Sequence, residues 1–296
     1  MVGATLPGDT IAVNQPDLLA VSEAIEALLT ANNHRGMDRV RTSLAPGYLL
    51  RAAQAIRACP GRVYILTGFP VENTFETDGP AGAMALYRLC QRLHNDPVIL
   101  SEAAVTAALS EQCCCHTLSP GTPEQAQKAA AALYKKDPPA LVISIECPGA
   151  AADGHYYNMA GEDISKRCIR VEPYLDEANC PTIAIGDGGN EVGMGNALES
   201  LSALDIRPAS STCGELIVAD VSNWAAYALC AVADWLDDRT MSAIADMQPD
   251  LEHLVRNGAV DGVTGASTAT EDGFPEHAAE RVMQSIHTIL LQGPAR

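Results

Sequence analysis

The chain has 296 residues, with 37 acidic against 19 basic side chains and a formal net charge of -18. A surface that binds duplex nucleic acid or anionic lipid needs clustered Lys and Arg, so both partner classes are excluded by expectation. Hydrophobic residues make up 47% and aromatics only 4%, so aliphatic side chains must fill a core of ordinary size.

The N-terminal stretch MVGATLPGDTIAVNQPDLLA has no basic head and no long apolar run, so no signal peptide is expected. No apolar run in the chain approaches the length needed to span a bilayer. Residues 16–31 show apolar side chains at helical spacing behind Asp17 and read as an amphipathic helix with an acidic face. GMDRVRTSL and GYLLRAAQAIRAC extend this helical part to about residue 60.

An alternation follows. RVYILTG reads as a strand, PAGAMALYRLCQRLHN as a helix opened by Pro80, PVILS as a strand and EAAVTAALSE as a helix. QCCCHTL is a further strand candidate, PEQAQKAAAALYKK a helix, and PALVISIE, PTIAIG and GELIVAD are strands. NEVGMGNALESLSAL between the last two reads as a helix, and SNWAAYALCAVADWLDD and PEHAAERVMQSIHTILLQ close the chain as helices. Short, nearly continuous apolar strands separated by helices predict an α/β fold: a mostly parallel sheet with helices on both faces and an N-terminal helical extension. No linker or repeat interrupts the pattern, so residues 1–296 are expected to form one unit whose first 60 residues are mainly helical.

The ten cysteines include Cys113, Cys114 and Cys115 in succession, but no C-x-x-C pair. The expectation is reduced thiols in a cytoplasmic protein rather than a disulfide framework or a zinc knuckle.

In open α/β sheets ligands bind beyond the carboxyl ends of the strands. Between Arg170 and Arg207 lie seven acids and no Lys or Arg, and the glycine-rich stretch IAIGDGGNEVGMGN falls inside that interval. It fails as a dinucleotide fingerprint because Glu191 stands where the third glycine belongs, and it lacks the Lys of a P-loop. Two readings remain. Asp187, Asn190 and Glu191 offer oxygen ligands of the kind Mg²⁺, Mn²⁺ or Ca²⁺ prefers, or they cap the turn and the helix after it. ETDGP adds Glu76 and Asp78, and DGHYYNMAGEDIS adds Asp153, His155, Tyr156, Tyr157, Asn158, Glu162 and Asp163. VDGVTG adds Asp261. Each has a plain turn or capping alternative.

TGFPVENTFETDGPAGA, DGHYYNM, IGDGGNEVGMGN, IVADVSNW and VDGVTG, in this order, resemble the D-glutamate cyclase family. The resemblance runs from about Thr67 to about Gly273 and is to the cyclase-like domain alone. It implies a lyase that converts D-glutamate to 5-oxo-D-proline and water, or the reverse, in an acidic cavity able to hold a divalent metal. The expected partner is a small acidic amino acid, and a homo-oligomer is compatible with the sequence.

From position and chemistry, Asp78, Asp187, Asn190 and Glu191 are expected to hold the metal. Glu76, His155 and Tyr156 are the candidates for proton transfer, and Ser222, Asn223 and Asn158 those for substrate binding. Two positions depart from the family pattern: Ala160, where Arg is expected, and Asp220, where a small neutral residue is commoner. A metal-dependent phosphoester hydrolase and a non-catalytic metal- or ligand-binding domain are the rival readings of the same acids.

Overall fold

A computed structural model describes residues 15–237 and 247–293. Most of the N-terminal stretch expected to lack a signal peptide therefore lies outside the described residues. Three helices come first, α1 (Gln15–Leu29), α2 (Met37–Ser43) and α3 (Tyr48–Arg57). Strand β1 (Arg62–Thr67) leads into a small hairpin, β2 (Pro70–Val71) and β3 (Thr74–Phe75), and then into α4 (Pro80–Arg92). Next come β4 (Asp96–Ser101), α5 (Ala103–Leu109), β5 (Cys115–Thr117), α6 (Pro123–Lys136), β6 (Leu141–Ile145) and α7 (Glu172–Asp176). The chain continues through β7 (Thr182–Gly186), α8 (Leu198–Leu201), β8 (Glu215–Val218), α9 (Ser222–Leu236), α10 (Met247–Arg256) and α11 (Ala278–Gln292).

The main sheet has six strands in the order β5-β4-β1-β6-β7-β8. Every pairing in it is parallel. The chain builds outward from β1 through β4 to β5, then returns to the other side of β1 and builds outward through β6, β7 and β8. The direction of winding thus reverses between β1 and β6, which is where an open parallel sheet leaves a crevice at its carboxyl edge.

Side chains alternate across the sheet as a period of two requires. Val63, Ile65, Ile143 and Ile183 enter the large core formed with α1, α3, α4, α9, α10 and α11. Tyr64, Leu66, Val98 and Val142 face the other way, against Tyr134 of α6 and Tyr174 and Leu175 of α7. The expected two-faced α/β arrangement is therefore observed, and the N-terminal helices join the larger of the two cores. Glu26 of α1, fully buried, accepts hydrogen bonds from the backbone N–H groups of Gly47 and Leu49 at 3.1 and 3.0 Å and so caps the start of α3.

One local expectation changes. The segment 190–204 is not one helix: it forms a single 3₁₀ turn at Met194–Ala197 and the short α8. Its glycines explain this, because Gly193 takes a left-handed φ of 94° and helix propensity is low at such positions. Helices α7 and α10 and the β2–β3 hairpin are additions to the expected elements. All ten cysteines are free thiols. No helix among the described residues is long and apolar enough to cross a membrane.

Helix α9 lies so close to α4 that a Cβ on Gly82 would stand 2.5 Å from Ile145, 2.8 Å from Asn223 Oδ1 and 2.9 Å from Ala226. Gly82→Ala is accordingly expected to destabilise the fold by about 1–3 kcal/mol through overpacking. An unchanged denaturant midpoint would contradict this packing.

Candidate functional site

The crevice at the β1–β6 switch holds a cavity of about 370 Å³. Glu76, Glu146, Asp187, Asn190, Glu191 and Asp272 form its acidic wall, with Arg35 among them. Glu76 follows β3 and Glu146 is the first residue after β6. Asp187 is the first after β7, and Asp272 lies on the segment before α11. The end of β3 is extended by an irregular neighbour: Thr77 N–H donates to Val260 O at 2.9 Å and Val260 N–H to Phe75 O at 3.1 Å. That pairing brings the 261–273 loop across the crevice. Asp261 organises the loop, accepting from Thr264 N–H at 2.8 Å, Gly273 N–H at 2.9 Å and Thr270 Oγ1 at 2.7 Å. Burial of Asp261 opposes its charge, but these donors hold its carboxyl below the usual range.

Carboxylate oxygens of Asp78, Glu146 and Asp187 lie within 4.8 Å of one another, and all three residues are buried. Each is aimed by a distinct local device. Asp78 accepts from Ser222 N–H at 2.9 Å and Asn223 N–H at 2.7 Å, so it sits on the positive end of α9. Glu146 accepts from Ser222 Oγ at 2.6 Å, and its backbone is held at a left-handed φ of 47°. That conformation is unfavourable for a side-chain-bearing residue by about 1–3 kcal/mol, a cost met where surrounding contacts fix a functional group. Asp187 Oδ1 accepts from Arg35 Nη1 at 2.5 Å, while the other oxygen, Oδ2, is buried and has no hydrogen-bond partner among the described residues. Asn190 Oδ1 is a second such orphan, although its Nδ2 donates to Tyr157 O at 2.8 Å.

Glu191 has a different task. Its carboxylate accepts from Gly188 N–H at 2.8 Å and Gly189 N–H at 2.7 Å. The glycine-rich loop does cradle an anion, and the anion is its own glutamate. A Cβ on Gly188 would lie 2.6 Å from Met159 Sδ, 2.7 Å from Asn190 Oδ1 and 2.9 Å from Glu191 Oε1, so a larger residue there would displace the side chains packed over the turn.

The structure brings Glu76, Asp187, Asn190, Glu191 and Asn158 to the cavity wall, with Asp78 directly behind. It does not bring the others there. His155 is exposed and faces Asp163 Oδ2 at 3.0 Å. Tyr156 is buried in a separate cluster, where its hydroxyl donates to Glu172 at 2.9 Å. Ser222 and Asn223 serve the acids rather than the cavity. Asn223 Oδ1 accepts from Gly79 and Gly82 N–H at 2.9 and 2.6 Å, and its Nδ2 donates to Thr77 O and Glu271. Asn158 lines the cavity, but its side chain is occupied in its own turn with Ala160 and Glu162.

Sequence reasoning passed over Glu146, Asp272 and Arg35. Glu146 was legible as the last letter of PALVISIE, at the carboxyl end of a predicted strand, but was counted into the strand. Arg35 carries no such signal, because the turn between α1 and α2 is remote in sequence from every strand end.

Burial dominates the electrostatics. Glu76, Glu146 and Asp187 are pushed well above the usual carboxylate range by desolvation and by their acidic neighbours, although Arg35 offsets part of this at Glu76 and Asp187. Asp78 is pushed up to about 7, first by burial and then by Asp272, despite its three backbone donors. Glu271, buried beneath the site, is raised to about 8 by burial and by Asp78. Such a site favours any positive charge that can enter it. The orphan oxygens and the all-oxygen donor set fit a hard divalent cation.

A model of the family described as D-glutamate cyclase-like, C-terminal matches residues 25–287. The chain is 29% identical to human mitochondrial D-glutamate cyclase in an alignment of 269 positions that covers 73% of this chain and 43% of that protein. The chain therefore spans less than half the length of that relative. Among solved structures, an exopolyphosphatase-related protein from Bacteroides fragilis superposes with a TM-score of 0.42 at 10% identity, covering 83% of this chain and 56% of that one. The exonuclease RecJ bound to manganese superposes with a TM-score of 0.38 at 12% identity, covering 75% and 46%.

The raised carboxyls set a pH dependence. A carboxyl whose folded pKa lies above its unfolded value binds more protons in the folded state, so stability falls as pH rises between the two values. For Glu271 that window runs from an ordinary 4.5 to about 8, and for Asp78 from 3.8 to about 7. In chelator, thermal melts are expected to show lower stability at pH 8 than at pH 5, by up to about 1.4 kcal/mol per pH unit for each such group. Mn²⁺ should raise the melting temperature more at pH 8 than at pH 5, because protons then no longer compete for the same oxygens. A melting temperature that climbs from pH 5 to 8 without metal would contradict this account.

Proposed function

The chain belongs to the D-glutamate cyclase-like family, and from that membership we propose that the cavity interconverts D-glutamate with 5-oxo-D-proline and water. The observation that carries this reading is Glu76. It is buried on the cavity wall and accepts no side-chain hydrogen bond from any described residue. It also faces the acids that meet at the winding reversal.

The chemistry makes two demands. Ring closure forms one N–C bond and breaks one C–O bond. An α-ammonium must lose two protons in all, and the departing carboxylate oxygen must gain two to leave as water. The γ-carboxylate also resists attack until its charge is drawn away.

Glu76 suits the first demand. Burial and the neighbouring Asp272 and Asp78 raise its carboxyl well above the usual carboxylate range, which strengthens it as a proton acceptor. In this reading it acts twice, each time taking a proton from the nitrogen and returning one to the leaving oxygen, so that both protons lost by the ammonium leave with the water. Asp78, Glu146 and Asp187 suit the second, as the residues that would hold a divalent cation, with Asn190 Oδ1 beside them. The cation, when bound, supplies Lewis-acid polarisation of the γ-carboxylate and offsets the charge of the site. Asp78 and Glu146 stay fixed because α9 and Ser222 hold them, and Asp187 because Arg35 does. Arg167, half-buried at the rim, supplies positive charge for an entering carboxylate. The coupling of Asn190 to Tyr157 O joins this wall to the turn at residues 158–161, which closes one side of the cavity.

The test is incubation with D- and L-glutamate, with and without Mn²⁺, read by NMR for 5-oxoproline, alongside a panel of phosphoesters. Conversion of D-glutamate is the expected result. Turnover of a phosphoester alone would replace this reading with hydrolysis, and tight Mn²⁺ binding with neither turnover would replace it with a binding domain. Glu76→Gln, which keeps shape and removes the proton-accepting carboxylate, should lower kcat by about 10²–10⁴-fold in folded protein. Wild-type turnover by that variant would remove Glu76 from the mechanism.

A further inference from the structure

Arg35 enters the cavity from the turn between α1 and α2, and the way it is held is uneven. Both of its ion pairs run from a single nitrogen: Nη1 donates to Asp187 Oδ1 at 2.5 Å and to Asp272 Oδ2 at 2.7 Å. Among the described residues Nε and Nη2 form no hydrogen bond, and neither is an orphaned buried atom. Arg35 lines the cavity with a side chain that is 14% exposed. One edge of a planar, permanently charged fork is therefore anchored in the protein and the rest is left for the cavity.

The turn that carries Arg35 is itself fixed from a distance. Asp220, just beyond β8 and buried, accepts from Asn32 N–H at 2.7 Å and Asn33 N–H at 2.9 Å. Its own backbone N–H donates to Leu29 O at 2.7 Å, so the end of α1 and the end of β8 are joined in both directions. Asn33 holds a left-handed φ of 51°, accepts from Gly36 N–H through its backbone and from Asp38 N–H through its side chain. Arg35 leaves this locked turn toward the acids.

We propose that Arg35 binds a carboxylate of the substrate through Nε and Nη2, and that Asp220 is its positioning residue. The inference rests on the reading of the cavity as a site for an acidic amino acid. It explains how a wall of carboxylates receives a dianion: a fixed guanidinium stands in the wall itself, with its charge only partly claimed by Asp187 and Asp272. A planar fork with two parallel donors suits a carboxylate geometrically, which a Lys ammonium would not. Asp220 contributes through direction alone, since it touches neither the cavity nor the guanidinium.

Glutarate, a dicarboxylate without the reacting amine, is the probe. At saturating Mn²⁺, Arg35→Gln should weaken its binding by calorimetry by about tenfold or more. Arg35→Lys should fall between that variant and the wild type. Because Arg35 also holds Asp187, the Mn²⁺ affinity of each variant is read first by electron paramagnetic resonance, and glutarate is titrated at a Mn²⁺ concentration that saturates that variant. Asp220→Asn should weaken glutarate in the same direction by less, and adding it to Arg35→Gln should cost nothing more, as expected of two residues acting through one contact. If Asp220→Asn does not fold, Asp220→Glu, which keeps both acceptor oxygens, takes its place. Wild-type glutarate affinity in folded Arg35→Gln, or no glutarate binding by the wild type, would overturn the assignment of Arg35. Additive losses in the double variant would overturn that of Asp220. The two readings also separate. An unchanged KM for D-glutamate in Arg35→Gln removes Arg35 and leaves the cyclase standing. Arg35-dependent glutarate binding without turnover does the reverse.

Discussion

Carboxylates buried together at one end of the sheet set the terms for everything around them. Charged oxygens removed from water are unstable unless protons, hydrogen-bond donors or cations compensate them. Here the protein supplies each kind of compensation to a different acid. The N-terminus of α9 serves Asp78, the Ser222 hydroxyl serves Glu146, the glycine N–H groups serve Glu191 and a guanidinium serves Asp187 and Asp272. What is left over is specific: one oxygen of Asp187, one of Asn190, and the whole carboxyl group of Glu76. Those groups belong to residues that line the cavity, and they are its unspent chemical content.

Convergence of these acids follows from the winding of the chain. Because the sheet grows outward from β1 in one direction and then in the other, the connections after β1 and β6 leave on opposite sides and open a crevice between them. Glu146 stands at the end of one strand beside that crevice, and the hairpin after the other strand delivers Glu76 and Asp78. Helix α9 then closes the arrangement from beneath. Its first two residues, Ser222 and Asn223, bind the acids and the loops that bear them, so the helix acts as a clamp on the site rather than a wall of it. The close contact at Gly82 is the packing counterpart of that clamp.

The glycine-rich loop after β7 looks in sequence like an anion cradle that carries the wrong charge. Both halves of that description are physically correct. Its N–H groups converge as they would on a phosphate, and Glu191 fills the place a phosphate would take. Filling the cradle internally leaves Asp187 and Asn190 as the members of the loop with a free oxygen, and it stiffens the turn that aims them. The same economy appears at Asp220, which departs from the pattern of the resembling family and is engaged in holding the Arg35 turn.

Local pattern alone determined the alternation of apolar strands and helices, the two-faced parallel sheet, and the family signature that includes Asp78, Asp187, Asn190 and Glu191. Those features are written in neighbouring residues: periodicity, turn formers and contiguous motif. Tertiary structure decided what each side chain faces. It turned His155 to solvent, engaged Tyr156 with Glu172, used Ser222 and Asn223 inside the scaffold, and brought in Glu146, Asp272 and Arg35. The reason is that the direction of a side chain depends on backbone torsions and on partners more than a hundred residues away. The pairing of Arg35 with Asp187 and Asp272, 152 and 237 residues away in sequence, has no trace in the order of nearby residues.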